Sequence, residues 1–355
     1  MIWPFRRREP AKWWSCDFAN EMTILSNGDI TTCCVDDQGK NAFANIFEHD
    51  VAEVVARHGR FKRAYLDMQI GDGGDASAFP GCRSCLRNPK ARFYMHEVTQ
   101  PEAARAFARP LEVPCDFVME ISARCNATCR GCIHKRLDND LGSVREGHSG
   151  VELDLDRTLA FLEPIGTKLR YIRLYNYGEP FLHKKIDWFC RQLVALSPDV
   201  TIGISTNGTA FGSDERIGRI LDAGIHHIIV SLHGGSETTS KKYMGERFPF
   251  DKAVDNITRL MAAKKARGQA EPMVDLKCVL FEWNDSDAEM DSFRALASQL
   301  GVDAYHFWAT NGPGASKRYP HGSAAWDDLV RRGLDCGGLH REIMNVDQRW
   351  TRKSA

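Results

Sequence analysis

After about residue 110, short apolar runs rich in β-branched residues alternate with longer amphipathic stretches, which predicts strands alternating with helices. The predicted strands are Asp116–Ser122, Leu169–Tyr175, Val200–Thr206, His226–Leu232, Val274–Phe281 and Ala304–Ala309. The predicted helices lie near Leu153–Leu162, Lys184–Leu196, Asp214–Ala223, Phe250–Arg267 and Asp287–Leu300. This alternation indicates an α/β fold with a parallel sheet, and in a parallel barrel the chemistry lies at the carboxyl ends of the strands.

The chain before this region has a different pattern. An apolar stretch, the Asn27-Gly28 dipeptide and a second stretch ending at Cys33 and Cys34 predict a β-hairpin. A helical run follows from about residue 50 to residue 63, and a proline-marked segment leads into the alternating region. We therefore predict a small cysteine-rich β-hairpin/helix domain at 1–100, a linker at 101–115, a main domain at 116–320 and a C-terminal tail at 321–355.

Composition narrows the class of protein. The chain has 43% hydrophobic and 26% charged residues, which is typical of a globular protein. Its 47 basic and 47 acidic side chains give a formal net charge of zero, so no global charge favours nucleic acid or an anionic membrane as a partner. No apolar run of about 18 residues is present. We expect a cytoplasmic protein that acts on a small or locally recognised substrate, without nucleic acid or membrane as a partner.

The 12 cysteines are too few for a secreted disulfide scaffold, so metal binding is the first use to consider. Cys125, Cys129 and Cys132 follow the first predicted strand with the spacing C-x3-C-x2-C. A zinc knuckle and reduced core cysteines are alternatives, although structural zinc prefers four ligands in paired C-x2-C knuckles. Three thiolates suit a [4Fe–4S] cluster with one iron left open to a further ligand.

Three polar motifs follow the next three predicted strands. They are Gly178-Glu179-Pro180, Ser205-Thr206-Asn207-Gly208 and Ser231-Leu232-His233-Gly234. Their order and their positions at strand ends, together with the three-cysteine loop, resemble the radical S-adenosylmethionine (SAM) superfamily.

The resemblance implies a partial (β/α)6 TIM-like barrel and a reaction. In that family SAM chelates the open iron, and its reductive cleavage gives a 5′-deoxyadenosyl radical. An external donor such as flavodoxin or ferredoxin supplies the electron. The residues expected to bind SAM are Gly178, Glu179, Pro180, Ser205, Thr206, Asn207 and Ser231.

Two residues depart from the family pattern. Gly131 stands where the family usually has an aromatic residue that covers the adenine, so adenine packing must come from elsewhere. His233 replaces the usual aspartate after the fourth strand. A histidine there would bring a group that titrates near neutrality.

A second cysteine set lies in the N-terminal region, which resembles the SPASM/twitch auxiliary domain of radical SAM enzymes, here placed before the barrel instead of after it. The resemblance implies a second [4Fe–4S] cluster bound by Cys16, Cys33 or Cys34, Cys82 and Cys85, with Cys33 favoured over Cys34 by its spacing from the hairpin glycine. Four thiolates would close every iron, which suits electron exchange. A zinc ribbon is the alternative for this set.

Strand alternation separates the barrel lumen from its outer face. In the fifth predicted strand Val274, Leu276, Cys278 and Leu280 should pack under helices, so that Asp275 and Lys277 point inward. A charged residue in a barrel lumen needs an ion pair or a substrate. The candidates for catalysis on this basis are His233, Lys277 and Glu120.

These inferences predict an oxidoreductase that abstracts hydrogen from a polar small molecule, such as a sugar or an aminocyclitol. The auxiliary cluster would exchange an electron with the substrate radical, and the outcome would be dehydrogenation or epimerisation. A peptide-modifying maturase is one alternative, disfavoured because two assigned domains leave no leader-recognition module. A non-catalytic iron–sulfur or zinc-binding protein is the alternative from another class.

Overall fold

The structure is a computed structural model, and it describes residues 13–16, 21–33, 36, 39–70, 95–108, 114–130, 132, 152–310 and 314–335. The predictions made for Cys34, Cys82, Cys85 and Gly131 lie outside these residues. Within them, no helix combines the length and the apolarity needed to cross a membrane.

The N-terminal region forms a small unit of short strands and two helices. Its elements are β1 (Trp13–Cys16), β2 (Thr23–Ile24), β3 (Asp29–Thr31), β4 (Ala44–Asn45), α1 (Val51–Ile70), β5 (Met95–Val98) and α2 (Gln100–Ala108). The predicted hairpin is formed by β2 and β3, and Gly28 in its turn has φ 86°. A Cβ there would lie 2.5 Å from the Phe47 ring, so the turn requires glycine.

Part of the predicted linker packs onto this unit. Strand β5 pairs antiparallel with β1, and α2 places Phe107 5.0 Å from the ring of Tyr65 on α1. Helix α1 also extends beyond the predicted end at residue 63, to Ile70.

The barrel follows in the predicted order. Its strands are β6 (Asp116–Met119), β7 (Tyr171–Leu174), β8 (Thr201–Thr206), β9 (His227–Ser231), β10 (Met273–Val279) and β11 (Ala304–Trp308). Its helices are α3 (Leu155–Leu162), α4 (Ile186–Leu196), α5 (Asp214–Leu221), α6 (Glu237–Met244), α7 (Phe250–Ala266), α8 (Asp287–Leu300) and α9 (Ala324–Asp335). Neighbouring barrel strands are parallel, which confirms the predicted α/β fold.

Several strands end earlier than predicted because the chain leaves the ladder to build loops. Ser122 bridges to Glu152 and Phe281 bridges to Ala315, outside the named strands. Helix α6 was not predicted. Ser236 begins it, and the Ser236 side chain accepts a hydrogen bond from the Thr239 N–H.

The N-terminal hairpin continues the barrel sheet. Strand β2 pairs parallel with β6, with Thr23 opposite Val118, which gives the strand order β11-β10-β9-β8-β7-β6-β2-β3-β4. Two lumen side chains of the barrel reinforce this junction. Arg173 lies 3.0 Å from Glu21, and Glu120 accepts a hydrogen bond from the Ser26 N–H at 3.2 Å. The N-terminal unit is thereby joined to the strand that carries the three-cysteine loop.

Candidate active site

The three-cysteine loop follows β6 and is held by the end of α6. The Thr128 N–H donates to the Met244 carbonyl at 3.1 Å, and the Arg130 N–H donates to the Tyr243 carbonyl at 2.7 Å. Gly245 has φ 97°, and a Cβ on it would lie 2.2 Å from Thr128 Oγ1. A side chain at position 245 would therefore push the loop away from α6.

The surroundings of these thiols suit soft-metal chemistry. Burial, with the nearby Glu179 charge, raises the pKa of Cys125 to about 12, and burial raises the pKa of Cys129 well above its usual value. Buried thiols lose their protons when a metal cation compensates the thiolate charge. In the described part of the chain no three His, Cys, Asp or Glu side chains converge on a single-ion site. Three thiols on one loop are soft ligands of the kind that bind iron–sulfur clusters, so the loop fits a [4Fe–4S] group.

Gly178 allows the loop after β7 to lie against the cysteine loop. A Cβ at this position would be 1.5 Å from the Ser122 carbonyl oxygen, a distance that only glycine avoids. The next residue donates its N–H to the Arg124 carbonyl at 2.7 Å. Pro180 then begins a short 3-10 turn, Pro180–Leu182. The two loops are in direct backbone contact.

The Glu179 carboxylate connects the motif after β7 to the motif at the end of β8. Its Oε1 accepts hydrogen bonds from Thr206 Oγ1 at 2.7 Å and from the Phe181 N–H at 3.1 Å, and its Oε2 accepts from the Asn207 N–H at 2.7 Å. Burial raises its pKa to about 7, although these donors oppose the shift. Glu179 therefore positions two loops, and its direct contact with SAM stays a prediction.

Asn207 connects the same motif to the cysteine loop. Its Nδ2 donates to Asn126 Oδ1 at 2.8 Å and lies 3.9 Å from Cys125 Sγ. Thr209 Oγ1 donates to Asn207 Oδ1 at 2.6 Å and accepts from Asn126 Nδ2 at 2.7 Å. Sequence reasoning missed Asn126 and Thr209, although their polar character within or beside two motifs was the available signal.

Ser205 and Ser231 lie at the carboxyl halves of β8 and β9. Both are partly exposed, in contrast to the buried Ile204 and Val230 beside them. Strand alternation therefore places the two hydroxyls on the lumen face of the sheet.

His233 makes a structural contact at the end of β10, and its predicted catalytic role stays a prediction. Burial, together with the Lys277 charge and His306, lowers its pKa to about 3, so the expectation of titration near neutrality is wrong. Its backbone has φ 57°, and its Nδ1 accepts a hydrogen bond from the Val279 N–H at 3.1 Å. The neutral ring thus provides the hydrogen-bond acceptor for the backbone N–H at the end of β10.

An aromatic column lies beside the cysteine loop. The ring of Tyr243 stacks on Phe281 at 4.7 Å, and Phe281 stacks on Trp283 at 4.6 Å. The guanidinium of Arg130, within the cysteine loop, lies 5.2 Å from the Trp283 ring centre. Sequence reasoning missed this column because its rings come from α6 and from the loop after β10.

Strands β9 to β11 form a polar wall of the barrel lumen, made of Ser231, Asp275, Lys277 and His306. Asp275 is its most buried member. Lys277 lies in register with Ser231 on one side and His306 on the other. Leu276 and Cys278 pack in the core outside the sheet, as predicted. Lys277 Nζ lies 4.2 Å from the ring centre of Trp308, which is 42% exposed. The carboxyl end of the barrel therefore presents a cation beside an accessible indole.

Three further predicted site residues lie in the N-terminal unit or beside its contact with the barrel. Glu120 is buried and holds the hairpin turn through Ser26, so its catalytic role stays a prediction. Cys16 ends β1 and packs near Tyr65, and Cys33 follows β3 with its carbonyl accepting the Asp36 N–H. Both side chains are partly exposed, and their predicted role as cluster ligands stays a prediction.

Comparison with protein families gives two matches. The model of the radical SAM superfamily matches residues 119–293, and the model of an iron–sulfur cluster-binding domain named SPASM matches residues 16–86. The cluster-binding match precedes the barrel match. No curated protein matches the sequence significantly.

Solved structures are similar at low identity. BtrN in complex with AdoMet and 2-DOIA is 24% identical with a TM-score of 0.30, and the match covers 41% of this chain and 52% of BtrN. TYW1 with a lysine-pyruvate adduct is 10% identical with a TM-score of 0.40, over 60% of this chain and 70% of TYW1. The anSMEcpe structure with bound AdoMet is 13% identical with a TM-score of 0.43, over 62% of this chain and 57% of that chain. The chain thus spans about half the length of BtrN, and these likenesses concern the fold alone.

Proposed function

Because the chain belongs to the radical SAM superfamily and carries a SPASM iron–sulfur domain ahead of its barrel, we propose that it oxidises a polar small molecule. The superfamily assignment makes it an enzyme that uses a [4Fe–4S] cluster, SAM and an auxiliary iron–sulfur cluster. When bound, these groups supply the 5′-deoxyadenosyl radical and an electron acceptor. The substrate we propose is a sugar or an aminocyclitol, with a flavodoxin- or ferredoxin-type external donor.

In this proposal Cys125, Cys129 and Cys132 hold the cluster that cleaves SAM. The SAM site is formed by Gly178, Glu179, Pro180, Ser205, Thr206, Asn207 and Ser231. Support comes from the contacts that join the loops after β6, β7 and β8 into one unit. We assign adenine packing to the aromatic column of Tyr243, Phe281 and Trp283, since glycine stands at position 131.

The polar lumen wall is the observation that carries the choice of substrate. Ser231, Lys277 and His306 lie side by side at the carboxyl end of the barrel, where the radical would be formed. Such a row suits hydroxyl and amino groups. Trp308 adds an accessible apolar face, which suits the ring carbons of a sugar or cyclitol.

Dehydrogenation is favoured over epimerisation by the positions of the barrel thiols. Epimerisation needs a thiol that returns a hydrogen atom to the substrate radical. Cys190 and Cys278 pack in the core outside the sheet, and Cys115 precedes the first barrel strand. Among the described barrel residues, the lumen therefore presents no thiol at the carboxyl end apart from the three-cysteine loop. We also propose a cytoplasmic location, because a thiol-ligated iron–sulfur protein needs reduced cysteines.

The test is deuterium transfer under anaerobic conditions. Reconstituted protein is incubated with SAM, dithionite and one of three ring-deuterated probes: myo-inositol, scyllo-inosamine or glucosamine. We expect one probe to yield deuterated 5′-deoxyadenosine together with a ketone product. Deuterium transfer from a peptide alone would identify a maturase instead, and the absence of 5′-deoxyadenosine from all incubations would contradict the proposal.

A further inference from the structure

A buried carboxylate and a histidine form a pair in the lumen that the SAM site does not use. His306 Nδ1 lies 2.7 Å from Asp275 Oδ2. His306 belongs to the lumen face of β11, because its neighbours Tyr305 and Phe307 pack outward around Phe293. Asp275 and Lys277 are two positions apart on β10, so their side chains point to the same face of the strand. The Asp275–His306 pair therefore lies in the same wall of the lumen as Lys277.

The burial of Asp275 determines which nitrogen of His306 carries the proton. Asp275 is fully buried, and a buried carboxylate is stable only when donors face it. At 2.7 Å a proton on His306 Nδ1 turns a lone-pair repulsion into an electrostatic attraction between the ring and the carboxylate. His227 Nε2 is the second group near the carboxylate, at 3.5 Å. Burial alone would raise the pKa of Asp275, but His306 and His227 bring it below its usual value, so the carboxylate stays charged.

This tautomer leaves Nε2 of His306 as a hydrogen-bond acceptor. The atom is buried, and it has no hydrogen-bond partner among the described residues. His306 Nδ1 and the Asp275 oxygens also lack a hydrogen bond of regular geometry, but Nδ1 lies at ion-pair distance from Oδ2, whereas among those residues no charged group makes that contact with Nε2. A histidine held by a carboxylate on one nitrogen, with a lone pair on the other, is the arrangement of a general base. Ser231 and Lys277 lie beside it in register, and both suit a polar substrate group.

We propose that His306 is the catalytic base that takes the proton of the substrate group being oxidised, and that Asp275 is the residue that positions it. This inference rests on the proposed function, and it names a proton acceptor that the function requires. The substrate C–H bond breaks when its hydrogen atom passes to the 5′-deoxyadenosyl radical, giving 5′-deoxyadenosine. His306 Nε2 would take the O–H proton of the carbon radical as the C=O bond forms. The auxiliary iron–sulfur cluster, when bound, would supply the acceptor for the one remaining electron, so that atoms and electrons balance.

The test compares His306→Gln with H227Q, which removes the other histidine beside Asp275. Both are assayed with the probe that transfers deuterium in the wild-type protein. We expect His306→Gln to keep SAM affinity, iron content and deuterium transfer while product formation falls at least about 100-fold, the range of a lost general base. H227Q should keep the ratio of product to 5′-deoxyadenosine within about threefold of wild type, because glutamine can still donate to Asp275 and His306 stays beside the carboxylate.

Two further variants separate a chemical role from a structural one. Asp275→Asn should lower kcat for the product with little change in KM, because an amide can no longer enforce the tautomer. If H306Q loses its iron or no longer shows a thermal unfolding transition, the test uses His306→Ala with added imidazole instead. Recovery of product formation by imidazole would then support the role of His306 as the base. Equal losses of 5′-deoxyadenosine and product, unchanged product formation in His306→Gln, or no rescue by imidazole would each overturn the inference. If no probe reacts with the wild-type protein, the proposed function itself fails.

Discussion

The two halves of the barrel use their buried polar side chains differently. On β7 and β8, the Glu179 oxygens and both polar atoms of the Asn207 amide contact protein groups that join neighbouring loops. On β10 and β11, Asp275 and His306 face each other, and His306 Nε2 is left without a hydrogen-bond partner among the described residues. The first half therefore joins neighbouring loops, the ones to which we assign SAM binding. The second half contains the carboxylate–histidine pair to which we assign the proton transfer.

The largest expected effect comes from separating the two loops of the first half. Gly178→Ala places a methyl group on the Ser122 carbonyl, so we expect roughly 3 kcal/mol or more of lost stability and loss of the SAM-cleaving cluster. Gly59→Ala is the control, because its new Cβ meets only the end of the Arg63 side chain at 3.7 Å within helix α1. Chemical denaturation and iron counting measure the two effects. Equal stability of the two variants would contradict the close approach.

The second largest effect is expected from a substitution that removes the Glu179 carboxylate, which joins the two loops. Glu179→Ala leaves the buried N–H groups of Phe181 and Asn207 without an acceptor, at a cost of about 2 kcal/mol. We expect SAM binding to weaken by at least about tenfold with the cluster spectrum unchanged. Glu179→Gln keeps one acceptor oxygen, so its SAM affinity should lie between those of the wild type and Glu179→Ala. Titration of the reconstituted protein with SAM measures this, and wild-type affinity in Glu179→Ala would refute a positioning role.

A pH experiment distinguishes the buried His233 from the carboxylate–histidine pair of the second half. The folded protein keeps His233 neutral with a pKa of about 3, whereas an unfolded histidine binds a proton near pH 6.5. The stability from the neutral ring is therefore present above pH 6.5 and is lost progressively below it, by about 2 kcal/mol at pH 5. His233→Asn, which tolerates the positive φ, should lack this dependence. Parallel pH profiles of unfolding free energy for the two proteins would count against a buried neutral ring.

The smallest effect concerns the exposed indole at the mouth of the barrel. Trp308→Ala should raise KM for the reacting probe about tenfold with little change in kcat, since it removes packing area and no reacting group. Trp308→Phe should recover part of the affinity. A loss confined to kcat would assign Trp308 to the chemistry instead of to binding.

A feature could be predicted from the sequence when residues close together in the chain determine it. The barrel strands were predictable because the alternation of apolar residues is a local property, and the motifs could be placed at strand ends for the same reason. The Asn126–Asn207–Thr209 contacts and the aromatic column were missed because their members meet only after folding. The behaviour of His233 could not be predicted either, because its pKa depends on burial that the fold alone creates.

The central claim is that the three-cysteine loop holds the cluster that cleaves SAM, independently of the N-terminal cysteines. The most direct measurement combines metal analysis with 5′-deoxyadenosine detection in the wild-type protein and in a variant with Cys125, Cys129 and Cys132 all replaced by Ala. We predict about eight irons and 5′-deoxyadenosine formation in the wild type, against about four irons and no 5′-deoxyadenosine in the variant. Continued SAM cleavage in the variant, or zinc in place of iron at the three-cysteine loop of the wild type, would contradict the account.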